Sequence, residues 1–238
     1  RSGHRPHRGR LFQVPPAMST VAERLQEIRQ EIASAVRAAG RDPDSVQLCA
    51  VSKTFPAAAI REAMAAGQTV FGESRAQEAI AKIPELPPAH WHFIGHLQSN
   101  KIRKVLPLCE LFHSVDSIDL ARDLSRIALE LGLRRGVLLQ VNVAGDDAKF
   151  GFDAASVAAA LPEVFTLPGI EVRGLMTIPP LEGDPRPHFA ALRELRDRLA
   201  ASSGHPLPEL SMGMSGDFAE AIAEGATIVR VGSAIFGN

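Results

Sequence analysis

The chain has 238 residues, of which 45% are hydrophobic and 22% are charged, with 26 basic and 27 acidic side chains. This ordinary globular composition excludes wholesale disorder, and the lack of any run of about 18 consecutive apolar residues argues against a membrane-spanning helix. Two cysteines, Cys49 and Cys109, are too few for a disulfide scaffold and favour a reducing compartment.

The first residues differ from the rest of the chain. Positions 1–17 carry four arginines and no acidic residue, without apolar periodicity. Without those four charges the formal net charge of −1 becomes −5, from 22 basic and 27 acidic side chains. We interpret residues 1–18 as a non-native or disordered leader rather than an arm that binds nucleic acid or a membrane, because proline and glycine interrupt the short charge run. Residues 19–238 are then expected to form one domain.

From Ser19 onward the chain alternates helical patterns with short apolar runs. An apolar residue recurs at every third or fourth position from Val21 to Val36, behind the candidate caps Ser19 and Thr20 and before Gly40, which predicts a helix over 21–39. The same criteria predict seven further helices at 57–66, 74–83, 100–106, 117–131, 154–164, 186–201 and 216–224.

Eight short apolar runs lie between these helices and suit parallel strands that are covered on both faces. Strands that alternate with single helices predict an α/β fold, here a single (β/α)8 TIM-type barrel. The alternative is an open doubly wound sheet, but no G-x-G-x-x-G follows the first strand. Little sequence follows the last strand, so the N-terminal helix is expected to take the place of the final helix. The strands are predicted at 48–51, 69–73, 90–95, 111–116, 136–143, 171–178, 209–213 and 228–232.

In such barrels the active site lies at the carboxyl ends of the strands. Of the five lysines, Lys53 alone lies at the end of a predicted strand, directly after Leu-Cys-Ala-Val-Ser. A lysine that is partly desolvated at a barrel rim loses its proton more readily, and its neutral amine can condense with a carbonyl group. The alternative is a lysine that merely marks where the strand meets solvent.

Two glycine-containing loops follow the last two strands. The first reads S-M-G-M-S-G and includes Ser215, and the second reads G-S-A and includes Gly232 and Ser233. Glycine lets the backbone N–H groups approach an anion, and the loops after strands seven and eight of such barrels often bind phosphate. Together they predict a phosphate site within reach of Lys53, whereas either loop alone would be weak evidence.

A lysine beside a phosphate site is compatible with two ligand classes. Pyridoxal 5′-phosphate carries both an aldehyde and a phosphate, and a phosphorylated sugar handled by a class I aldolase is the alternative. Arg230 lies two residues before Gly232 and therefore shares its face of the strand. An arginine facing the pyridine nitrogen would keep it unprotonated and make the ring a weaker electron sink. The alternative for Arg230 is an ion pair with Glu73 or another barrel acid.

The histidine-rich segment H-W-H-F-I-G-H is a weaker candidate site. His90 and His92 share a strand face, and an H-x-H pair can bind a metal. No further histidine or carboxylate has the sequence spacing to complete a site, so no metal is predicted. Lys149, in a polar loop after the fifth strand, could contact a ligand but is more simply a flexible loop lysine.

Six motifs, in order, resemble the YggS/PROSC family of pyridoxal-phosphate homeostasis proteins over nearly the whole chain after the leader. The chain departs from the family pattern at three positions, with Ser74 where Asn is usual, Ser233 where Thr is usual and Ala148 where Ser is usual. The motifs are A-V-S-K-T at 50–54, F-G-E at 71–73, H-F-I-G-H-L-Q-S-N-K at 92–101, R-G-L-M-T-I at 173–178, L-S-M-G-M-S-G-D at 210–217 and V-R-V-G-S-A-I-F-G at 229–237.

The resemblance implies a fold-type III barrel like the N-terminal domain of alanine racemase, without its C-terminal β domain. It implies that Lys53 holds pyridoxal 5′-phosphate as a Schiff base, that Arg230 lies near the ring nitrogen, and that Ser215, Gly232 and Ser233 surround the phosphate. It implies a cytoplasmic protein of vitamin B6 homeostasis, whose partners are the cofactor and recipient apo-enzymes rather than nucleic acid or membrane. A monomer is expected.

One absent residue type bears on catalysis. Alanine racemases of the resembled fold use a tyrosine from a second domain as the base opposite the lysine, and this chain contains no tyrosine. We therefore predict a cofactor carrier rather than an enzyme. A weak pyridoxal-phosphate-dependent racemase or lyase that uses one base is the first alternative, and a Schiff-base aldolase is the second.

Overall fold

A computed structural model describes residues 19–237, so the predicted leader at residues 1–18 lies outside the described residues. Eight parallel strands pair in chain order, and β1 pairs with β8 to close a barrel, as predicted. The strands are β1 (Gln47–Val51), β2 (Val70–Glu73), β3 (His90–Phe93), β4 (Leu111–Val115), β5 (Arg135–Gln140), β6 (Ile170–Met176), β7 (Glu209–Ser211) and β8 (Ile228–Val231).

Helices connect successive strands and surround the barrel. Two short 3₁₀ turns, Ile83–Glu85 and Ser99–Lys101, accompany the α-helices. Within residues 19–237 the α-helices are α1 (Val21–Ala38), α2 (Ala57–Ala65), α3 (Ala76–Lys82), α4 (Ile102–Val105), α5 (Ile118–Glu130), α6 (Ala154–Val164), α7 (Arg186–Ser203), α8 (Phe218–Ala223) and α9 (Ser233–Phe236).

The N-terminal helix α1 takes the place of a long final helix, as the sequence predicts. Thr20 caps it through a reciprocal pair with Glu23, in which each side chain accepts a hydrogen bond from the other residue's backbone N–H. Its buried stripe packs against α2, α8 and the four-residue α9. Arg24 Nε donates to the carbonyl of Ile235 at 2.7 Å, which ties α1 to α9.

Several predicted elements extend beyond the observed ones. The third, fifth and seventh strands end at Phe93, Gln140 and Ser211, two or three residues earlier than predicted. Val141 and Met212 stay buried after the ladder has ended, because the rim is also packed. Apolar runs report burial rather than hydrogen bonding, so they overestimate strand length. The helix predicted at 100–106 likewise divides into a 3₁₀ turn and the single turn α4.

The apolar core has two layers. The larger one lies between the strands and the surrounding helices. A separate cluster of six residues, each from a different strand, fills the barrel interior; its members are Cys49, Val70, Leu111, Leu138, Met176 and Ile228. Neither β3 nor β7 contributes an apolar side chain to this cluster. No helix within residues 19–237 combines the length and the apolar character needed to cross a membrane.

Candidate functional site

Lys53 lies on a turn that begins two residues after β1, between the rim ends of β8 and β2. Its side chain is exposed, so the partial desolvation expected from the sequence is not found. Within residues 19–237 no hydrogen bond or ion pair engages its amine. The next residue, Thr54, has φ of +68°, a left-handed conformation that costs an L-residue about 1–2 kcal/mol. The turn therefore presents Lys53 to solvent from a strained backbone.

A set of side chains beneath this turn, which we call the rim clamp, holds it in place. Lys82 Nζ donates to the carbonyls of Ser52 (2.8 Å) and Phe55 (3.0 Å), which flank the turn on both sides. The carboxylate of Glu78 accepts the backbone N–H of Thr54 at 2.9 Å. The rim clamp consists of Ser52, Glu73, Glu78 and Lys82.

Glu73 is the buried acid of the rim clamp. Its Oε1 lies 2.7 Å from Lys82 Nζ and accepts the hydroxyl of Ser52 at 2.8 Å. Its Oε2 is fully buried and has no hydrogen-bond partner within the described part of the chain. Burial raises the pKa of Glu73, and the contacts with Lys82 and Ser52 oppose that rise. The sequence placed Lys82 on a helix and did not mark it as functional.

Arg230 lies inside the barrel and is only 4% exposed. Its Nη1 donates to Ser211 Oγ at 2.5 Å and its Nη2 to the carbonyl of Thr177 at 3.3 Å. Burial lowers the pKa of Arg230 to about 10, so the guanidinium keeps its charge at neutral pH. The alternative of an ion pair with Glu73 is not found, because Glu73 pairs with Lys82 instead.

The loops after β7 and β8 leave neighbouring strands at the same rim. Ser215 and Ser233 are exposed, and Gly232 lies beside β1, where an added Cβ would stand 3.2 Å from the carbonyl oxygen of Val51. The backbone N–H groups of Ser215 and Ser233 have no hydrogen-bond partner within residues 19–237. The structure therefore places these N–H donors and hydroxyls on the part of the rim next to the Lys53 turn.

The histidines of the H-x-H motif take part in a chain of polar contacts through the barrel. His92 Nδ1 lies 2.9 Å from Nε2 of His113, whose Nδ1 lies 2.8 Å from Ser211 Oγ. His90 Nδ1 lies 3.0 Å from Glu110 Oε2. The sequence missed these partners because they come from or just before β4, which parallel strand pairing places beside β3. No group of three His, Cys, Asp or Glu side chains within residues 19–237 is arranged to hold a metal ion.

The remaining rim is closed by contacts between loops. Lys149 Nζ donates to the carbonyl of Pro179 at 3.0 Å, which joins the loops after β5 and β6. The ring of His96 stacks on Phe150 with centroids 4.2 Å apart, which joins the loops after β3 and β5. Lys149 is thus a loop-to-loop contact, in contrast to the unengaged amine of Lys53.

Comparisons with known proteins agree with this architecture. A family model described as the N-terminal domain of alanine racemase matches residues 24–238. Curated relatives named pyridoxal phosphate homeostasis protein include one from Pseudomonas aeruginosa, 46% identical over 223 residues, which covers 92% of this chain and 96% of the relative. Another, from Aquifex aeolicus, is 42% identical over 221 residues and covers 91% of this chain and 97% of the relative.

Solved structures give the same result. PipY of Synechococcus elongatus, solved with PLP bound, is 46% identical with a TM-score of 0.83, over 92% of this chain and 100% of PipY. An alanine racemase of Clostridium difficile is 13% identical with a TM-score of 0.72, over 89% of this chain and 57% of the racemase. At that identity the likeness concerns the fold alone.

Proposed function

Because the chain belongs to the family of pyridoxal phosphate homeostasis proteins, which share the N-terminal barrel of alanine racemase, we propose that it binds pyridoxal 5′-phosphate and serves in vitamin B6 homeostasis. The observation that carries this proposal is Lys53, an exposed amine with no partner within residues 19–237. It lies next to the loop that contains Gly232 and Ser233. A relative of 46% identity, PipY, has been solved with PLP bound.

The side chains at the rim fit this cofactor. Lys53 supplies the amine, and the hydroxyls and backbone N–H groups of Ser215 and Ser233 supply donors for a phosphate. Gly232 packs closely on β1, since an added Cβ there would press against the carbonyl oxygen of Val51. When bound, pyridoxal phosphate supplies an aldehyde that condenses with a primary amine, with loss of water, and an electron-withdrawing pyridine ring.

Arg230 gives the site a cation rather than an acid at the barrel interior. A guanidinium has five N–H donors and no acceptor, and two of the Arg230 nitrogens are engaged by Ser211 and Thr177. The N–H groups that remain can donate a hydrogen bond to the pyridine nitrogen of the cofactor, which then stays unprotonated. An unprotonated pyridine withdraws electrons weakly, so with Arg230 the ring is a weaker electron sink than one held by a carboxylate.

We further propose that the protein is a carrier and not an enzyme. The relatives are named homeostasis proteins, and the sequence has no tyrosine to act as a base opposite Lys53. The exposed position of Lys53 supports exchange of the cofactor with apo-enzymes that require it. Two free, buried cysteines, Cys49 and Cys109, suit a reducing compartment, and we place this role in the cytoplasm.

The test is cofactor uptake by the purified full-length chain. Pyridoxal phosphate is added in excess, unbound cofactor is removed, and the visible absorption is recorded before and after reduction with borohydride. Peptide mapping then locates the amine to which the cofactor has been fixed. We expect one modified residue, Lys53, and no uptake by Lys53→Ala. The matched control is Lys104→Ala, on the exposed face of α4, which should keep full uptake.

Three outcomes contradict the proposal in different ways. A chain that takes up no cofactor is not a pyridoxal phosphate carrier. Modification spread over several lysines shows that Lys53 is not a specific site. Racemisation or elimination of amino acids at enzyme-like rates, lost in Lys53→Ala, shows that the protein is an enzyme.

A further inference from the structure

Five side chains form a continuous line of polar contacts through the barrel, which we call the interior chain. From Arg230 the contacts pass to Ser211 Oγ (2.5 Å), His113 Nδ1 (2.8 Å) and, from His113 Nε2, to His92 Nδ1 (2.9 Å). From His92 Nε2 the line continues to Glu110 Oε1 at 3.8 Å. Arg230, Ser211, His113 and His92 are all at most 4% exposed, whereas Glu110 is half-exposed just before β4.

The donors and acceptors of the interior chain run in one direction. Arg230 can only donate, so Ser211 Oγ accepts from it and has its own proton left to give. If that proton goes to His113 Nδ1, then His113 is protonated at Nε2 and donates to His92 Nδ1. His92 is in turn protonated at Nε2, which faces the carboxylate of Glu110. Each of the three hydrogen bonds then has one donor and one acceptor, and the His92 N–H faces Glu110 across a longer contact of 3.8 Å.

The opposite direction leaves a buried proton without a partner. If His92 donated to His113 and His113 donated to Ser211, Ser211 Oγ would accept two hydrogen bonds. Its hydroxyl proton would then lack an acceptor within residues 19–237, at a residue that is fully buried. An unsatisfied buried donor costs about 1–3 kcal/mol. The charges agree with the first direction, since a cation stands at the donating end and a carboxylate at the accepting end.

The ionisation states support the same arrangement. Burial lowers the pKa of His113 well below its ordinary value, and His92 and Arg230 add to this effect, so His113 is neutral at neutral pH. The contacts with His92 and then His90 lower the pKa of Glu110 to about 2, so Glu110 is charged. A neutral imidazole with one donor and one acceptor nitrogen is what a relay between these two ends requires.

We propose that His113 and His92 are positioning residues that, through Ser211, hold the guanidinium of Arg230 as a donor to the cofactor, with their tautomers set by Arg230 at one end and by Glu110 at the opposite end of the barrel. This inference deepens the proposed function and rests on it for the ligand. It links a half-exposed carboxylate at the amino-terminal end of β4 to the cofactor site at the other rim.

The first test measures the two tautomers in the cofactor-free protein. Nitrogen NMR of protein labelled with ¹⁵N-histidine distinguishes a ring protonated at Nε2 from one protonated at Nδ1. We expect both His113 and His92 to be protonated at Nε2 at neutral pH. Protonation of both rings at Nδ1, or of either ring at both nitrogens, overturns the proposed direction. The measurement needs no bound cofactor, so it stands apart from the proposed function.

The second test reverses the charge at the accepting end. Glu110→Lys places a donor where His92 Nε2 needs an acceptor, so the Nδ1-protonated fraction of both rings should rise, against the cost of the unsatisfied Ser211 proton. Affinity for pyridoxal phosphate should then fall by about five-fold, at the lower end of the coupling found between separate sites. Glu110→Gln keeps a carbonyl oxygen as acceptor and should retain both tautomers and most of the affinity.

The outcomes separate the two proposals. If the unmodified chain takes up no pyridoxal phosphate, the proposed function fails while the tautomers still report on the interior chain. If the chain takes up the cofactor but Glu110→Lys leaves the tautomers or the affinity unchanged, the relay is wrong and the proposed function stands. Equal losses in Glu110→Lys and Glu110→Gln also contradict the relay, because only the lysine reverses a link.

Discussion

The molecule contains two buried polar networks that place their charges differently. In the rim clamp the amine of Lys82 and the carboxyl group of Glu73 meet at 2.7 Å, and one oxygen of Glu73 has no partner within residues 19–237. In the interior chain, two imidazoles and a hydroxyl separate Arg230 from Glu110. The rim clamp therefore depends on this ion pair, whereas the interior chain depends on hydrogen bonds that are individually weaker.

This difference follows from what each network supports. The clamp holds a short turn at the rim, where Lys82 satisfies two backbone carbonyls and balances Glu73 at once. The interior chain crosses the barrel, where a close pair of charges would cost more to desolvate. Neutral imidazole rings form the contacts there instead. Removing one side chain should therefore lower the unfolding free energy most in the rim clamp and least at the exposed end of the interior chain.

The largest effect is expected for Lys82→Met. This change leaves the buried carboxylate of Glu73 without its cation, and breaking a buried pair in this way costs about 3–5 kcal/mol of unfolding free energy. The measurement is urea-induced unfolding at neutral pH. Lys104→Met, an exposed change of the same chemistry, should stay within about 0.5 kcal/mol of the unmodified protein.

The loss of unfolding free energy in Lys82→Met should depend on pH, and that dependence identifies its cause. Burial raises the pKa of Glu73 above its ordinary value of 4.5, so stability that depends on a protonated Glu73 is present below 4.5 and is lost as the pH rises. The deficit of Lys82→Met should therefore be smaller at acid than at neutral pH. The double change Glu73→Gln with Lys82→Met should recover part of it. A deficit that is independent of pH would point to lost packing instead.

A smaller loss is expected for Ser211→Ala in the interior chain. The change removes the partner of Arg230 Nη1 and of His113 Nδ1. A hydrogen bond to a charged group contributes about 1.5–3 kcal/mol, so the unfolding free energy should fall by about that amount. Ser34→Ala, on the exposed face of α1, is the control in the same unfolding experiment. A loss larger than that of Lys82→Met would reverse the order of the two networks.

The sequence predicted the barrel well because its signals are local. Apolar runs and helical periodicity gave all eight strands in order, and the two ends of α6 agree with the prediction. The same patterns placed Lys53 at the rim, because a strand that ends in a polar residue marks the carboxyl edge of the sheet. They also paired the loops after β7 and β8, since neighbouring parallel strands share a rim.

Both networks escaped prediction because tertiary packing between elements creates them. Lys82 fits the solvated face of a short helix by spacing, and only the packing of α3 against β2 brings it to Glu73. His113 and Ser211 meet although 98 positions separate them in the chain. One signal was present, since His92 and His113 each interrupt an apolar strand on the face that points into the barrel. A buried polar residue at such a position requires a partner on another strand.

A difference of about 1 kcal/mol is expected between two changes at Thr54. Thr54 keeps a left-handed backbone, which glycine adopts without strain, while alanine retains the Cβ that causes it. The strain of about 1–2 kcal/mol exceeds the extra entropy of an unfolded glycine, about 0.4–1 kcal/mol, so Thr54→Gly should be more stable than Thr54→Ala by about 1 kcal/mol. Equal stabilities in urea would mean that the rim clamp does not impose this conformation.

The smallest effect is expected at the exposed end of the interior chain. Contacts with His92 and then His90 lower the pKa of Glu110 from 4.5 to about 2, so its contribution to stability is present above 4.5 and is lost as the pH falls towards 2. Glu110→Gln lacks this contribution, and the unfolding free energies of the two proteins should converge as the pH falls from about 5 to about 2.

The half-exposed position of Glu110 limits the size of this difference, since solvent and salt screen it. Urea unfolding across that pH range, with and without high salt, provides the measurement. Salt should reduce the difference between the two proteins. A difference that persists in high salt and approaches the loss in Lys82→Met would mean that Glu110 forms a buried pair like that of the rim clamp. Both networks would then contain a buried ion pair.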